Sequence, residues 1–235
     1  MGSFPQSIVH YLPVTDHDER WGIVCTTAGY QNVPPGSPYP LTQHPDSYSF
    51  TRSRGRVLGE YQLLYIVSGQ GEFRSASSPA APVKAGTVVM LFPDEWHTYA
   101  PDPETGWEEW WVGFRGENID RRVAEGFFSP KTPLLHIGHS AGIVSCYQEI
   151  IRSAEEERKG FQQLVTGIVL HLLGSVLFKR DNLQYLDNPI VEKINRAREM
   201  MRRHIGDNLP PEEIARRLNI GYTWFRRTFR AYVGI

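Results

Sequence analysis

Four residues near the end of this 235-residue chain, Thr223, Arg226, Arg227 and Arg230, have the types and spacing to read an acidic polymer. At about 100° per residue they cluster on one side of a helix, whereas Phe225, Phe229 and Tyr232 fall within about 60° of one another on the opposite side. Arginine matches both phosphate and guanine edges, so the cationic face suits DNA. A second constellation lies in "WEEWWVGF". Strand alternation puts Glu109, Trp111 and Gly113 on one side there, and Trp110, Val112 and Phe114 on the other. An aromatic face with a few converging donors and acceptors is what a small hydroxylated ligand needs.

Each constellation requires a scaffold. A helix-turn-helix needs one helix packed across a second, with a tight turn between them, so that the second presents a clean polar face. "PPEEIARRLNIGYTWFRRTFRAYVG" meets those demands. Pro210-Pro211 opens a helix and Glu212-Glu213 suit its positive N-terminal end. Ile214, Ala215 and Leu218 form an inner face, and Asn219-Ile220-Gly221 supply the turn. The competing reading is a solvated basic helix in an ordinary bundle. Charge favours DNA: from Asn188 onward there are ten Lys and Arg against five Asp and Glu, net +5, leaving 15 against 21, net −6, for residues 1–187.

Upstream, residues 20–115 carry glycine, proline, aromatic and β-branched residues with regular turn signals, the texture of a β-sandwich or barrel. "EYQLLYIVSGQGEF" reads as a hairpin turning at Gly69-Gln70-Gly71, "GTVVMLFP" as a buried strand, and "PDEWHTYAPDPETG" as a long loop. Between Gly142 and Arg180 two helices are expected, the second with Phe161, Leu164, Val165, Ile168, Leu172 and Val176 at helical spacing. That stripe is wide enough to face both the β domain and a second subunit, so a homodimer through 142–180 is expected, against a reading in which the pair only packs on the sheet. "RDNLQYLDNP" reads as a linker over 182–189. Cys25 and Cys146 have no metal or redox spacing, which fits a reduced, cytoplasmic protein. The first residues lack a signal-peptide pattern, and the apolar window "GIVLHLLGSVLF" is too short to span a bilayer, so no membrane partner is expected.

In Ile214-Ala215, Leu218, Phe225, Arg227, Phe229, Arg230 and Gly234 the C-terminal part resembles the first of the two helix-turn-helix units of an AraC-type transcriptional regulator. Gly221 departs from the serine-like cap usual there. "YQLLYIVSGQGEF", "KAGTVVMLFPDEWHTYAPDPETGWEEWWVGFRG" and the following helices are similar to the cupin-like barrel and helical pair that sense ligand and dimerise in these regulators. The resemblance implies an α+β fold: a cupin-like sensor and dimerisation domain over 1–181, then a small all-α helix-turn-helix segment over 190–235. It also implies a second such unit beyond Ile235, and an N-terminal arm, residues 4–14, closing over the ligand. Function follows as a ligand-responsive regulator with DNA and a small-molecule effector, most simply a carbohydrate, as partners.

Barrels of this type also serve as metal enzymes, which commonly need an HxH pair plus a glutamate and a later histidine. Here the inward positions of "YQLLYIV" read as Gln62 and Leu64, and His97 stands alone, so neither a metal, a cofactor nor catalysis is expected. The alternative is a cupin-fold enzyme or sugar-binding module whose helical tail does not bind DNA. Compared with arabinose-responsive members, Arg54, His97, Tyr99 and Trp111 align with positions that hold the sugar, and Glu109 falls beside them. Arg52 and Arg56 lie close enough to compete with Arg54. In the competing reading His97 and Tyr99 are loop residues satisfied locally, Trp111 is core, and Trp107 and Trp110 are core or dimer surface.

Overall fold

The structure is a computed structural model that describes residues 7–40, 51, 53–185, 189–203 and 209–233. It divides into two compact units, residues 1–180 and 181–235.

Among the described residues the first unit is built on eight antiparallel strands. They are β1 (Ser7–Tyr11), β2 (Val24–Val33), β3 (Tyr61–Ser75), β4 (Ala81–Lys84), β5 (Thr87–Leu91), β6 (His97–Pro101), β7 (Trp107–Arg115) and β8 (Leu134–His136). The path runs β1-β2-β7-β3-β5-β8, with β4 and β6 also paired to β3. The barrel therefore takes in β1 and β8, beyond the 20–115 expected. The segment "PDEWHTYAPDPETG" is also not all loop, because His97–Pro101 pair with Gly71–Ser75.

Strand β3 corrects the expected hairpin. It runs unbroken through Gly69 and Gly71, pairing β5 and β7 with its first part and β4 and β6 with its second. Gly69 (φ 77°) marks the corner where the strand passes from one set of partners to the other. A Cβ there would lie 2.1 Å from the Gly106 carbonyl oxygen, so only glycine lets the two backbones approach.

Helices α1 (Asp16–Glu19), α2 (Glu117–Ala124), α3 (Ala141–Glu156) and α4 (Phe161–Asn182) complete this unit. Ile143, Tyr147, Ile150 and Ile151 of α3 and Val165, Val169, Leu172 and Val176 of α4 join Leu63, Tyr65, Trp110, Val112 and Phe114 in one core. Alternation along β7 thus sends Trp110, Val112 and Phe114 to the helices and leaves Glu109 and Trp111 for the other face. The length argument against a membrane span needs correction: α4 is a 22-residue helix with mean hydropathy 1.6 in its most apolar window. It is a core helix all the same, since its buried Gln162 accepts from the Cys25 amide (3.0 Å) and donates to the Cys25 and Pro13 carbonyls (2.9 Å each), tying it to protein backbone. Its outer side carries the exposed Leu164, Gly167, His171, Gly174 and Phe178.

The second unit holds the short 3-10 turn Leu183–Tyr185, α5 (Pro189–Arg203), α6 (Pro211–Arg217) and α7 (Tyr222–Val233). Ile194, Ala197, Ile214, Ala215 and Phe225 form its buried centre, with Leu218, Phe229 and Tyr232 packed around it. The turn between α6 and α7 uses Asn219 in the left-handed region (φ 52°), a conformation asparagine tolerates well. Gly234, part of the expected motif, lies outside the described residues.

Candidate functional site

Strand register assembles the wall of a cavity in the first unit. Directly paired residues share a face, which puts Val9, Gly29, Trp111 and Leu64 in one row across β1, β2, β7 and β3. Tyr11, Thr27, Gly113 and Gln62 form the next row, and Ser7, Gln31, Glu109 and Ile66 the third. Gly29 is needed for this layout, because a Cβ there would sit 2.1 Å from the Trp111 ring.

The cavity, about 20 Å³, is lined by Tyr11, Thr27, Gln31, Arg56, Gln62, Tyr99, Glu109 and Trp111, with Val9, Tyr39 and Pro40. Arg56 is its organising cation. Its Nη2 donates to the Tyr99 hydroxyl at 2.8 Å and to Gln62 Oε1 at 3.4 Å, and its Nε to His97 Nε2 at 3.3 Å. A backbone bridge with His97 fixes the arginine: the Arg56 and His97 amides donate to each other's carbonyls at 2.9 and 3.0 Å. His97 is buried, its Nδ1 lies 3.0 Å from the Glu95 carbonyl, and its Nε2 is the acceptor for Arg56, which makes it a neutral imidazole. Burial, and then the Arg56 charge, pull its pKa down to about 4.

Glu109 is 2% exposed. The Tyr39 hydroxyl donates to its Oε1 at 2.9 Å, while Oε2 has no hydrogen-bond partner among the described residues. Burial pushes its pKa up to about 7. The Tyr39 hydroxyl, the Arg56 charge and the nearby Trp107 indole only partly oppose that rise. Behind Gln62, the buried Glu60 accepts from Gln62 Nε2 at 2.8 Å and from the Thr27 hydroxyl at 3.3 Å, which fixes the amide that faces the cavity. The arrangement offers a cation, a carboxyl near its titration point, two amides, several hydroxyls and an indole face. That chemistry holds and orients a hydroxylated ligand. Among the described residues, no three His, Cys, Asp or Glu gather as a metal would require.

Tyr99, Glu109 and Trp111 line this cavity, and His97 supports it one step behind through Arg56. Arg54 is a correction: it is exposed, in the turn before the bridge, and its carbonyl accepts from the Trp96 indole at 3.0 Å. Arg56, two residues on, lines the cavity instead. Tyr39 and Gln31 carried no sequence signal, whereas Gln62 was legible from the alternation in "YQLLYIV". The segment expected as an arm begins outside the described residues, and from Ser7 it is the edge strand β1, whose Val9 and Tyr11 reach the cavity.

In the second unit, Thr223, Arg226, Arg227 and Arg230 are all exposed on α7, opposite the buried Phe225. Trp224, 40% exposed, stands beside them and was not singled out from the sequence. On α6, Glu213 pairs with Arg216 and Arg217 at 2.8 Å each, so those arginines are engaged within their own helix.

The sequence profile described as the AraC-like ligand binding domain matches residues 35–173, more than half of the chain, a range that includes Tyr39, Arg56, Gln62, Tyr99, Glu109 and Trp111 of this cavity. The chain belongs to that family. It is 22% identical over 177 residues to the Msm operon regulatory protein of Streptococcus mutans, covering 74% of this chain and 63% of that protein. It is 29% identical over 94 residues to the raffinose operon transcriptional regulatory protein RafR of Pediococcus pentosaceus, covering 39% of this chain and 34% of that protein. The chain thus spans less than two thirds of the length of either curated relative. Among solved structures it is similar to the AraC-like transcriptional activator CuxR, with 12% identity, a TM-score of 0.34 and coverage of 95% of this chain and 84% of that one.

Proposed function

We propose that this AraC-family chain is a cytoplasmic, ligand-responsive transcription regulator rather than an enzyme, sensing a carbohydrate in the barrel and binding DNA through α6 and α7. The observation that carries the sensor reading is the buried cavity in which Arg56, Gln62, Tyr99 and Glu109 converge beside Trp111. Such a set pairs hydroxyls with fixed donors and acceptors and lays an apolar sugar face on an indole. The relative named for the raffinose operon supports a sugar in that role. On this reading residues 1–181 form the sensor and dimerisation domain, residues 190–235 form a helix-turn-helix subdomain, and Arg56 replaces Arg54 in the effector set.

For DNA, Thr223, Arg226 and Arg227 face base edges and Arg230 meets phosphate. The face Leu164, Gly167, His171, Gly174 and Phe178 on α4, apolar and small apart from one histidine, is the surface for a homodimer. Regulation then requires the ligand to interact differently with two arrangements of the protein. The test is a thermal-shift screen of the purified chain against raffinose, other oligosaccharides, monosaccharides and sugar acids. A specific stabilising sugar that also changes affinity for operator DNA supports the proposal. Stabilisation by none of them removes the carbohydrate from it.

A further inference from the structure

The cavity of about 20 Å³ has room for roughly one water molecule, whereas small-molecule sites run about 300–1,000 Å³. Something must leave before an effector enters. Most of the wall sits on hydrogen-bonded strands: Thr27 and Gln31 on β2, Gln62 on β3, Tyr99 on β6, Glu109 and Trp111 on β7. Tyr39 and Pro40 sit instead on the irregular connection after β2, and Arg56 on the segment before β3, where its backbone bridge to His97 holds it. A second depression, about 190 Å³, is lined by Val33, Pro34, Tyr39, Ala100, Pro101 and Gly106 among others. Among the described residues that line the two spaces, Tyr39 is the one common to both. Its ring is therefore the partition. Moving the ring aside would join the two spaces into one larger site.

The partition also imitates a ligand. Its ring packs edge-on to Trp107, with centroids 5.7 Å apart, and against Tyr99 at 6.2 Å, while its hydroxyl serves Glu109 at 2.9 Å. A ring with an apolar face and a hydroxyl on its rim is what tyrosine shares with a pyranose. The connection is anchored upstream, where the Gly36 amide donates to the Pro103 carbonyl at 2.8 Å, so the side chain has a fixed base from which to swing.

We propose that Tyr39 is a displaceable partition inside the effector site: the bound effector takes the place of its ring, lays a flat apolar face against Tyr99 and Trp107, and presents a hydroxyl to Glu109. The identity of the effector as a carbohydrate rests on the reading above, but the partition itself does not. Wild type, Tyr39→Phe and Tyr39→Ala are titrated with p-cresol, the analogue of the tyrosine side chain, and followed by tryptophan fluorescence and thermal shift. Circular dichroism reports folding. Tyr39→Ala is expected to bind p-cresol saturably and about tenfold or more tighter than wild type, since displacing one hydrogen-bonded ring costs at least that much. Tyr39→Phe, which keeps the ring and loses the tether to Glu109, falls between them.

Equal or undetectable p-cresol binding by all three overturns the proposal. So does loss of the fold in Tyr39→Ala, which would make the ring a core residue. The same proteins are then titrated with glucose, galactose and sucrose. A sugar that binds Tyr39→Ala more tightly than wild type supports displacement, and one that binds it more weakly overturns it, because Tyr39 would then be a ligand contact. If p-cresol follows the expected order while no sugar binds, the partition stands and the carbohydrate reading falls.

Discussion

Replacing Glu109 by glutamine should stabilise the first unit at pH 8 and change little at pH 4. The carboxyl has its pKa raised by burial from 4.5 to about 7. Between those values the folded chain binds a proton that the unfolded chain releases, so stability falls as pH rises from about 4.5 through about 7 and is level above that. At 1.36 kcal/mol per unit, the cost of keeping Glu109 ionised and buried reaches about 3 kcal/mol at alkaline pH. Glutamine cannot ionise, and its Oε1 still accepts from the Tyr39 hydroxyl. His97 titrates in the opposite sense. With its pKa lowered from 6.5 to about 4, it removes stability as pH falls through that range, but it does so in both proteins and cancels in the difference. Urea unfolding of wild type and Glu109→Gln at intervals from pH 4 to 8 gives that difference directly. A gap that widens by about 3 kcal/mol toward pH 8 is expected. A gap constant across the series, or one that widens toward acid, would refute the account of Glu109 as a buried carboxyl held near neutrality.

Four further substitutions test other parts of the account. Gln162→Leu should cost about 2–3 kcal/mol in urea unfolding, because it leaves the buried Cys25 amide and carbonyl without their partner. Gly29→Ala pushes a methyl into the Trp111 ring and should abolish effector binding while leaving α5–α7 folded, as read by thermal shift and by NMR of the second unit. Arg226→Ala should relax sequence preference in DNA binding, whereas Arg230→Ala should weaken binding to all sequences and lower the salt slope by about 1. Equal effects of the two on specific and random DNA would argue against that division.

What was legible in the sequence was local and periodic. The α6–α7 pair follows from the spacing of Ile214, Ala215, Phe225 and Phe229, and the two faces of β7 follow from alternation in "WEEWWVGF". Where period and composition pointed different ways, composition misled. Gly69 and Gly71 look like a hairpin turn but mark the corner of one long strand, because nothing local says that β3 has partners on both sides of the bend. The choice between Arg54 and Arg56 depends on a single backbone bridge to His97, 41 residues away, which spacing within "TRSRGRV" cannot reveal. Tyr39 was hidden for a related reason: "PPGSPYP" has no periodicity, and the ring's place is set by Glu109 and Trp107, about 70 residues along the chain. The 3- and 4-residue spacing on α4 showed a wide apolar face, yet a buried glutamine fixes which side of it meets the barrel.

The most direct test of the central claim is the affinity of the most stabilising sugar in the thermal-shift screen, measured by calorimetric titration on wild type, Arg56→Ala and Arg54→Ala. Hydrogen bonds from a charged group are worth about 1.5–3 kcal/mol, so Arg56→Ala should weaken binding by roughly tenfold to a hundredfold, while Arg54→Ala should bind as wild type does. Unchanged affinity in Arg56→Ala, or a loss confined to Arg54→Ala, would contradict the placement of the effector in the Arg56–Glu109 cavity.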